Sequence, residues 1–331
     1  MFNKFFGGFV ALVILAGMIA GCAAQPTVAP TVEPIEPTAV PVVDPLEGKT
    51  FYWLAANISN AFYVPGLKGW EAAAEELDVN VEFVGPLEPN LAEQTATLEQ
   101  LVADPNTAGI LFYAMDFNAA EPLVAEAVEK GIAFQMANTD SPFTTRSGFV
   151  GTDHVQMGKA AAGYAAKVLD CKGSVGSVGN NSVVVPRRME AFNEQIKVLC
   201  PDITVYESSM YDGSALAAVS TVDAYMVAHP DLGLLWFADG AANNTIGPWQ
   251  ERIEAGTKTL FLGSDMPPAA LEAVKDGTWI GSMGQDTFAE EYWGLQMMVA
   301  KALGKSIPDS IYVASLVVTK DNVDQYITAD Q

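Results

Sequence analysis

From Lys49 to the C-terminus, short apolar β runs alternate with segments of helical period, and the alternation passes through the chain twice. Thr50–Ala56 is a β run. Gly66–Leu77 has helical period, with Leu67, Trp70, Ala74 and Leu77 on one side. Strands follow at Val79–Val84, Gly109–Ala114, Ile132–Ala137 and Gly148–Gly151, with helices at Leu91–Ala103 and Ala119–Lys130 between them. Gly131 fits the C-cap of the latter helix. Strands separated by helices specify a parallel sheet, because parallel neighbours need a crossover connection.

The pattern restarts with a helix at Met157–Leu169. Strands are predicted at Gly173–Val178, Ile203–Glu207, Leu232–Phe237, Thr259–Gly263 and Trp279–Ser282. Helices at Arg188–Val198, Ser214–Ala228, Asn243–Ala255 and Pro268–Asp276 lie between them. Phe288–Leu303 reads as a long helix, Ile311–Thr319 as one last β stretch, and a short helix is expected to close the chain. The expectation is an α/β protein of two similar doubly wound parallel-sheet lobes with a cleft between them.

The first 48 residues are different. Lys4 is followed by the apolar stretch Phe9–Ala16, then by Ile19-Ala20-Gly21-Cys22. An aliphatic residue, two small residues and a cysteine make a bacterial lipobox. Residues 1–21 are therefore expected to be a lipoprotein signal peptide, with Cys22 lipidated and the bilayer as a partner through that anchor. The apolar run is short for a membrane span of roughly 20 residues. Residues 22–48 carry Pro26, Pro30, Pro34, Pro37, Pro41 and Pro45. Proline at that spacing predicts an extended tether, at about 3.1 Å per residue reaching roughly 80 Å.

The formal net charge of −23 argues against nucleic acid and anionic lipid surfaces as partners. With Cys22 assigned to lipid, Cys171 and Cys200 remain as a pair in an oxidising compartment. Each precedes a predicted strand, and adjacent parallel strands would bring the two starts together. A disulfide is expected, with two buried free thiols as the alternative. His154 and His229 are the only histidines, so no His/Cys metal site is expected. No Walker loop, Rossmann glycine fingerprint, nucleophile elbow or His-Glu-x-x-His is present, and no cofactor is expected.

Polar and aromatic residues instead cluster after the predicted strands, where open α/β sheets bind ligands. These are Asn57 to Tyr63, Asn138-Thr139-Asp140, Asp153, Arg188, Tyr211-Asp212, Asp239, Asp265 and Gln285-Asp286. Asp140, Asp212 and Asp286 are expected to be turn formers or helix caps. Carboxylates, amides and one guanidinium suit vicinal hydroxyls, and flat rings suit the C–H faces of a sugar. A small polyhydroxylated ligand fits this set.

From Lys49 onward the chain resembles the type 1 periplasmic sugar-binding proteins of ABC importers, nearest to the ribose-binding group. Asn60-Ala61-Phe62-Tyr63 resembles that group's Asn-Pro-Phe-Phe. Arg188-Met189-Glu190-Ala191-Phe192 is similar to its Arg-x-x-Gly-Phe, Tyr211-Asp212 to its Phe-Asp, and Gly263-Ser264-Asp265 to its Gly-Phe-Asp. Gln285 falls on its hinge-proximal Gln, and Gly151-Thr152-Asp153 resembles its first interdomain crossover. The resemblance implies hydroxyl binding by Asn60, ring packing by Phe62, Tyr63 and Tyr211, and a central sugar contact from Arg188. Asn138, Asp239, Asp265 and Gln285 complete the expected ligand set. Asn138-Thr139 stands where the group has Asp-Arg, Asp239 replaces Asn, and Ala61 replaces Pro, so the cleft should hydrogen-bond differently from a ribose site.

The resemblance also implies a three-strand hinge at Thr152-Asp153, Gln285-Asp286 and Ala314-Ser315. One lobe would be residues 49–152 with 286–314, the other 153–285 with 315–331. The implied function is capture of a small carbohydrate or polyol by a monomer outside the cytoplasm and delivery to an ABC transporter permease, without catalysis. A sensor component feeding a chemoreceptor or histidine kinase is the alternative. The lipobox and acidic tether disfavour a DNA-binding repressor of the same fold.

Overall fold

The computed structural model describes residues 44–140 and 145–327. The predicted signal peptide, Cys22 and tether residues 23–43 lie outside the described residues. Residues 44–48, assigned above to the extended tether, form a turn. The Asp44 carboxylate accepts from the Leu46 amide, and Leu46 packs against the first lobe's core.

The first half contributes β1 (Thr50–Leu54), α1 (Val64–Leu77), β2 (Asn80–Val84), α2 (Leu91–Ala103), β3 (Thr107–Phe112), α3 (Phe117–Glu129), β4 (Ala133–Ala137) and β5 (Gly148–Thr152). The second begins with α4 (His154–Leu169), β6 (Ser174–Asn180), α5 (Val185–Leu199), β7 (Thr204–Val205), β8 (Ser209–Tyr211) and α6 (Ala215–Ala228). It continues with β9 (Leu234–Phe237), α7 (Ile246–Glu254), β10 (Leu260–Ser264), α8 (Pro268–Asp276) and β11 (Gly281–Gln285). The chain then runs through α9 (Thr287–Ala302), β12 (Ser310–Val313) and β13 (Ser315–Thr319).

Among the described residues there are two sheets. The first has order β12-β5-β4-β3-β1-β2, and the second β13-β11-β10-β9-β6-β7, with β8 also on β6. Each is covered on both faces. In the first lobe α1 and α9 bury Trp70 and Leu295 on one side, and α2 and α3 bury Leu98 and Val124 on the other. In the second, α4 and α5 bury Met157 and Phe192, and α6 to α8 bury Val222, Trp249 and Leu271. These are two doubly wound α/β lobes.

Three findings refine the sequence reading. Ile311–Thr319 is two strands separated by Ala314: β12 joins β5 in parallel, and β13 joins β11 antiparallel. One residue leaves no room for a crossover, so the chain enters the second sheet without reversing. The predicted strand Ile203–Glu207 shortens to β7, and a further short strand, β8, follows it. Asn243–Ala255 begins as a 3₁₀ turn over Gly240–Thr245 before α7. The chain therefore passes between the sheets after β5, after β11 and between β12 and β13.

The helix ends flanking these passages are well capped. Asp153 accepts from the Val155 and Gln156 amides at the start of α4, and Asp286 accepts from Ala289 at the start of α9. Asp212 accepts from Ser214. Asp140, expected to be a turn former or cap, instead pairs with Arg146, which also reaches Asp309 ahead of β12. Cys171 and Cys200 are disulfide-bonded, with Cα atoms 5.1 Å apart across the adjacent starts of β6 and β7.

Two glycines set helix approach, one in each lobe. A Cβ on Gly69 of α1 would lie 2.1 Å from the Phe288 carbonyl oxygen of α9. A Cβ on Gly158 of α4 would lie 2.2 Å from the Arg188 carbonyl oxygen of α5. Backbone oxygen cannot yield as a side-chain tip can, so the helices must part. Gly69→Ala and Gly158→Ala should each destabilise the fold by about 1–3 kcal/mol, the usual range for overpacking. Urea unfolding midpoints check this, and an unchanged midpoint contradicts it.

Candidate functional site

The carboxyl ends of β1, β6, β8, β9, β10 and β11 converge on a cavity of about 490 Å³ with walls from both lobes. Such a volume suits a small molecule. The first lobe contributes Asn60, Phe62 and Thr287, and the second Asn180, Tyr211, Asp239, Asp265 and Gln285. Another cavity of about 380 Å³ lies near the opposite, amino ends of the strands. Its Lys49 and Lys130 donate to the Pro105 and Val102 carbonyls near the C-terminus of α2, which accounts for both as helix-end partners.

Six predicted residues reach the larger cavity: Asn60, Phe62, Tyr211, Asp239, Asp265 and Gln285. The Asn60 side chain accepts from the Phe62 amide, shaping the short turn that presents Phe62. Asp239 is held by three donors. Its Oδ2 accepts from the Asn180 amide at 2.7 Å, and its Oδ1 from the Tyr211 hydroxyl at 2.8 Å and the Ala241 amide at 2.9 Å. Burial raises its pKa, and those donors pull it back down. Asp265 stands at φ 63°, a left-handed conformation that aspartate tolerates better than most residues. Its Oδ1 accepts from Gln285 at 3.0 Å, and its Oδ2 accepts from no described residue. Burial raises this carboxyl too, opposed first by Arg188.

Three predicted residues lie elsewhere. Tyr63 is 5% exposed and packs in the first lobe's core, edge-on to Trp53 and Tyr113. Its neighbour Phe62 takes the outward direction, because consecutive residues of a tight turn diverge. Asn138 and Arg188 lie outside the cavity lining, in a closed hydrogen-bonded ring between the lobes. Arg188 Nη2 donates to Gln285 Oε1 at 3.3 Å, and Asn138 Nδ2 donates to the same oxygen at 3.2 Å. Arg188 Nε donates to His154 Nδ1 at 3.1 Å, and His154 Nε2 lies 3.2 Å from the Asn138 carbonyl. Arg188 Nη1 donates to the Ala238 carbonyl at 3.0 Å. The Arg188 guanidinium is thus held by protein partners from three segments.

The ring dictates the histidine's state. Nδ1 accepts from a guanidinium, so it carries no proton, and Nε2–H donates to the carbonyl. Burial, then the Arg188 charge, lowers the His154 pKa to about 3. Sequence reasoning placed no role on His154, because its two partners, Asn138 and Arg188, come from separate segments. It also missed Asn180, Asn243 and Thr287 in the cavity wall. Asn180 ends a glycine-rich strand, which is itself a strand-end signal. Asn243 was read as the first residue of a helix.

A family description, periplasmic binding protein domain, matches residues 51–306. The D-allose-binding periplasmic protein of Escherichia coli is 29% identical over 274 residues, covering 76% of this chain and 84% of that protein. A xylitol-binding protein of Mycolicibacterium smegmatis is 25% identical over 282 residues, covering 80% and 76%. The arabinose-binding protein AraP of Geobacillus stearothermophilus superposes with a TM-score of 0.79 at 24% identity, over 85% of this chain and 99% of that one. A sugar-binding protein of a Bacillus halodurans sugar ABC transporter gives 0.78 at 24%, over 84% and 100%. The chain belongs to the periplasmic binding protein family, and its two lobes have the type 1 fold of that family.

A neutral His154 contributes stability that is complete above its unfolded pKa near 6.5 and is lost as pH falls toward about 3. The His154 ring resonances should therefore show no titration between pH 5 and pH 8 by NMR. A midpoint in that window contradicts the ring.

Proposed function

We propose that this periplasmic binding protein is the solute-binding component of a carbohydrate ABC importer. It captures an uncharged pentose, hexose or polyol between its lobes as a monomer and presents it to a membrane permease. The observation that carries this reading is the lining of one cavity by hydrogen-bonding groups from both lobes, with Asp265 Oδ2 accepting from no described residue and Phe62 and Tyr211 supplying flat faces. A ligand hydroxyl gives that oxygen its donor. The sugar and polyol ligands named for relatives support the same ligand class.

Closure follows from the passages between the lobes. A ligand contacting Asn60 and Phe62 on one side and Tyr211 and Asp265 on the other gains most when the lobes approach, so binding favours the closed state. We place the hinge at Thr152-Asp153, Gln285-Asp286 and Ala314-Ser315. The lobes then comprise residues 49–152 with 286–314, and 153–285 with 315–331. The family's location is extracytoplasmic. In this reading residues 1–21 are removed, lipid on Cys22 holds the protein at the bilayer, and residues 23–43 give it reach.

A thermal-shift screen over pentoses, hexoses and polyols tests the proposal. A ligand at a hundred times its dissociation constant stabilises by about 2.7 kcal/mol, a readily visible shift. Absence of any shift at millimolar sugar would overturn the reading. With a hit in hand, Asp265→Asn and Phe62→Ala should each weaken binding roughly ten- to hundredfold by calorimetry. Unchanged affinity in both would move the site elsewhere.

A further inference from the structure

Beneath the cavity, at the N-terminal end of α9, Glu290 and Glu291 are each 0% exposed. Both approach one hydroxyl. Tyr113, just past β3, lies 2.8 Å from Glu290 Oε1 and in a shorter contact with Glu291 Oε1. The remaining oxygens, Oε2 of each carboxyl, have no side-chain or solvent partner among the described residues. A Cβ on Gly66 of α1 would stand 3.0 Å from the Glu291 carboxyl carbon, so helix packing closes over the group.

Counting protons decides the chemistry. A tyrosine hydroxyl has one proton and donates once. Two ionised carboxylates cannot both accept from it. The second contact is satisfied only when a carboxyl carries a proton and donates it to the tyrosine oxygen. Two bare carboxylates here would also place two negative charges together in a dry interior, each with an oxygen no side-chain donor reaches.

The surroundings offer partial relief: the Asn138 backbone favours the ionised form of Glu290, and the Glu291 backbone that of Glu291, while burial raises both. Besides each other, the charged and titratable groups facing the pair are Tyr113, Tyr63 from the turn before α1, Asp286 at the start of α9, and Arg188 from the opposite lobe. Along α1 the ionisable Lys68, Glu71, Glu75 and Glu76 are exposed. β4, β5 and β12 bring no acidic or basic side chain against α9. One cation thus faces three carboxyls, and the paired buried tyrosines resist ionisation.

We propose that Glu290, Glu291 and Tyr113 form a proton store in the first lobe, with at least one of the two carboxyls protonated at neutral pH in the folded protein. Nothing in this requires a sugar ligand. Burial pushes both carboxyls up, Glu290 to about 8 from an ordinary 4.5. Between those values the folded lobe holds a proton that the unfolded chain releases. The stability this contributes is complete below about pH 4.5 and is lost as pH rises through about 8. Arg188 belongs to the other lobe, so parting the lobes removes the one facing cation and tightens the hold on the proton.

Infrared difference spectra of the full chain at pH 7, wild type minus Glu290→Gln/Glu291→Gln, read the protonated carboxyl directly. We expect a buried carboxylic-acid C=O band in the wild type that the double variant lacks; its absence overturns the proposal. Relative to Glu290→Gln/Glu291→Gln, the wild-type folding equilibrium constant should fall by up to tenfold per pH unit between about pH 4.5 and about pH 8. A ratio independent of pH also overturns it. Should the double variant fail to fold, the wild-type pH titration of the same band decides: persistence above pH 7 supports the store, and loss near pH 5 refutes it.

Discussion

The guanidinium of Arg188 is 3% exposed at the meeting of the two lobes, and the surrounding structure is arranged around that buried cation. A buried charge left unpaired costs several kcal/mol, so its donors need acceptors. Three separate chain segments supply them: His154 opens α4, Ala238 follows β9, and Gln285 ends β11. Asp239 and Asp265 add opposite charge without direct contact. Asn138, from the first lobe, joins the ring through both its side chain and its carbonyl. The cavity wall rests on this ring, because Gln285 touches Arg188 with one end of its amide and Asp265 with the other.

Backbone packing holds the same residues from behind. The Arg188 carbonyl is the atom that a side chain on Gly158 would strike, so the α4–α5 approach fixes the base from which the guanidinium extends. In the first lobe the Phe288 carbonyl meets Gly69 in the same way, next to Thr287 in the cavity wall and two residues before Glu290. Close helix contact, interlobe ring and buried carboxyl pair are thus neighbouring parts of one floor. Its charges are few and dry. Movement of one lobe against the other changes the electrostatics of both.

Much of the architecture was legible because it is local. The helices at Leu91–Ala103 and Pro268–Asp276 begin and end where period and turn residues indicate. Six of the nine ligand candidates reach the cavity because strand ends in a parallel sheet all point one way. The burial of Tyr63 in the core was not legible because its turn, adjacent in sequence to Phe62, sends neighbouring side chains inward and outward. The protein partners of Arg188 were not legible because they lie 34, 50 and 97 residues away. Glu290 and Glu291 carry no sequence signal, since acidic residues in a helix's first turns ordinarily face water.

The sequence by itself determined the doubly wound class, the division into two similar halves and the set of polar strand ends. Periodicity and turn chemistry act over a few residues and need no partner to be read. Only the tertiary structure decided which of those side chains face the cavity and which serve the protein. It turned Asn138 across to His154 and Gln285 beside Arg188, placed Tyr63 in the core and brought two carboxyls to one hydroxyl. The direction of a side chain is set by packing and by the need to pair every buried charge and dipole. Those partners come together only when the chain has folded.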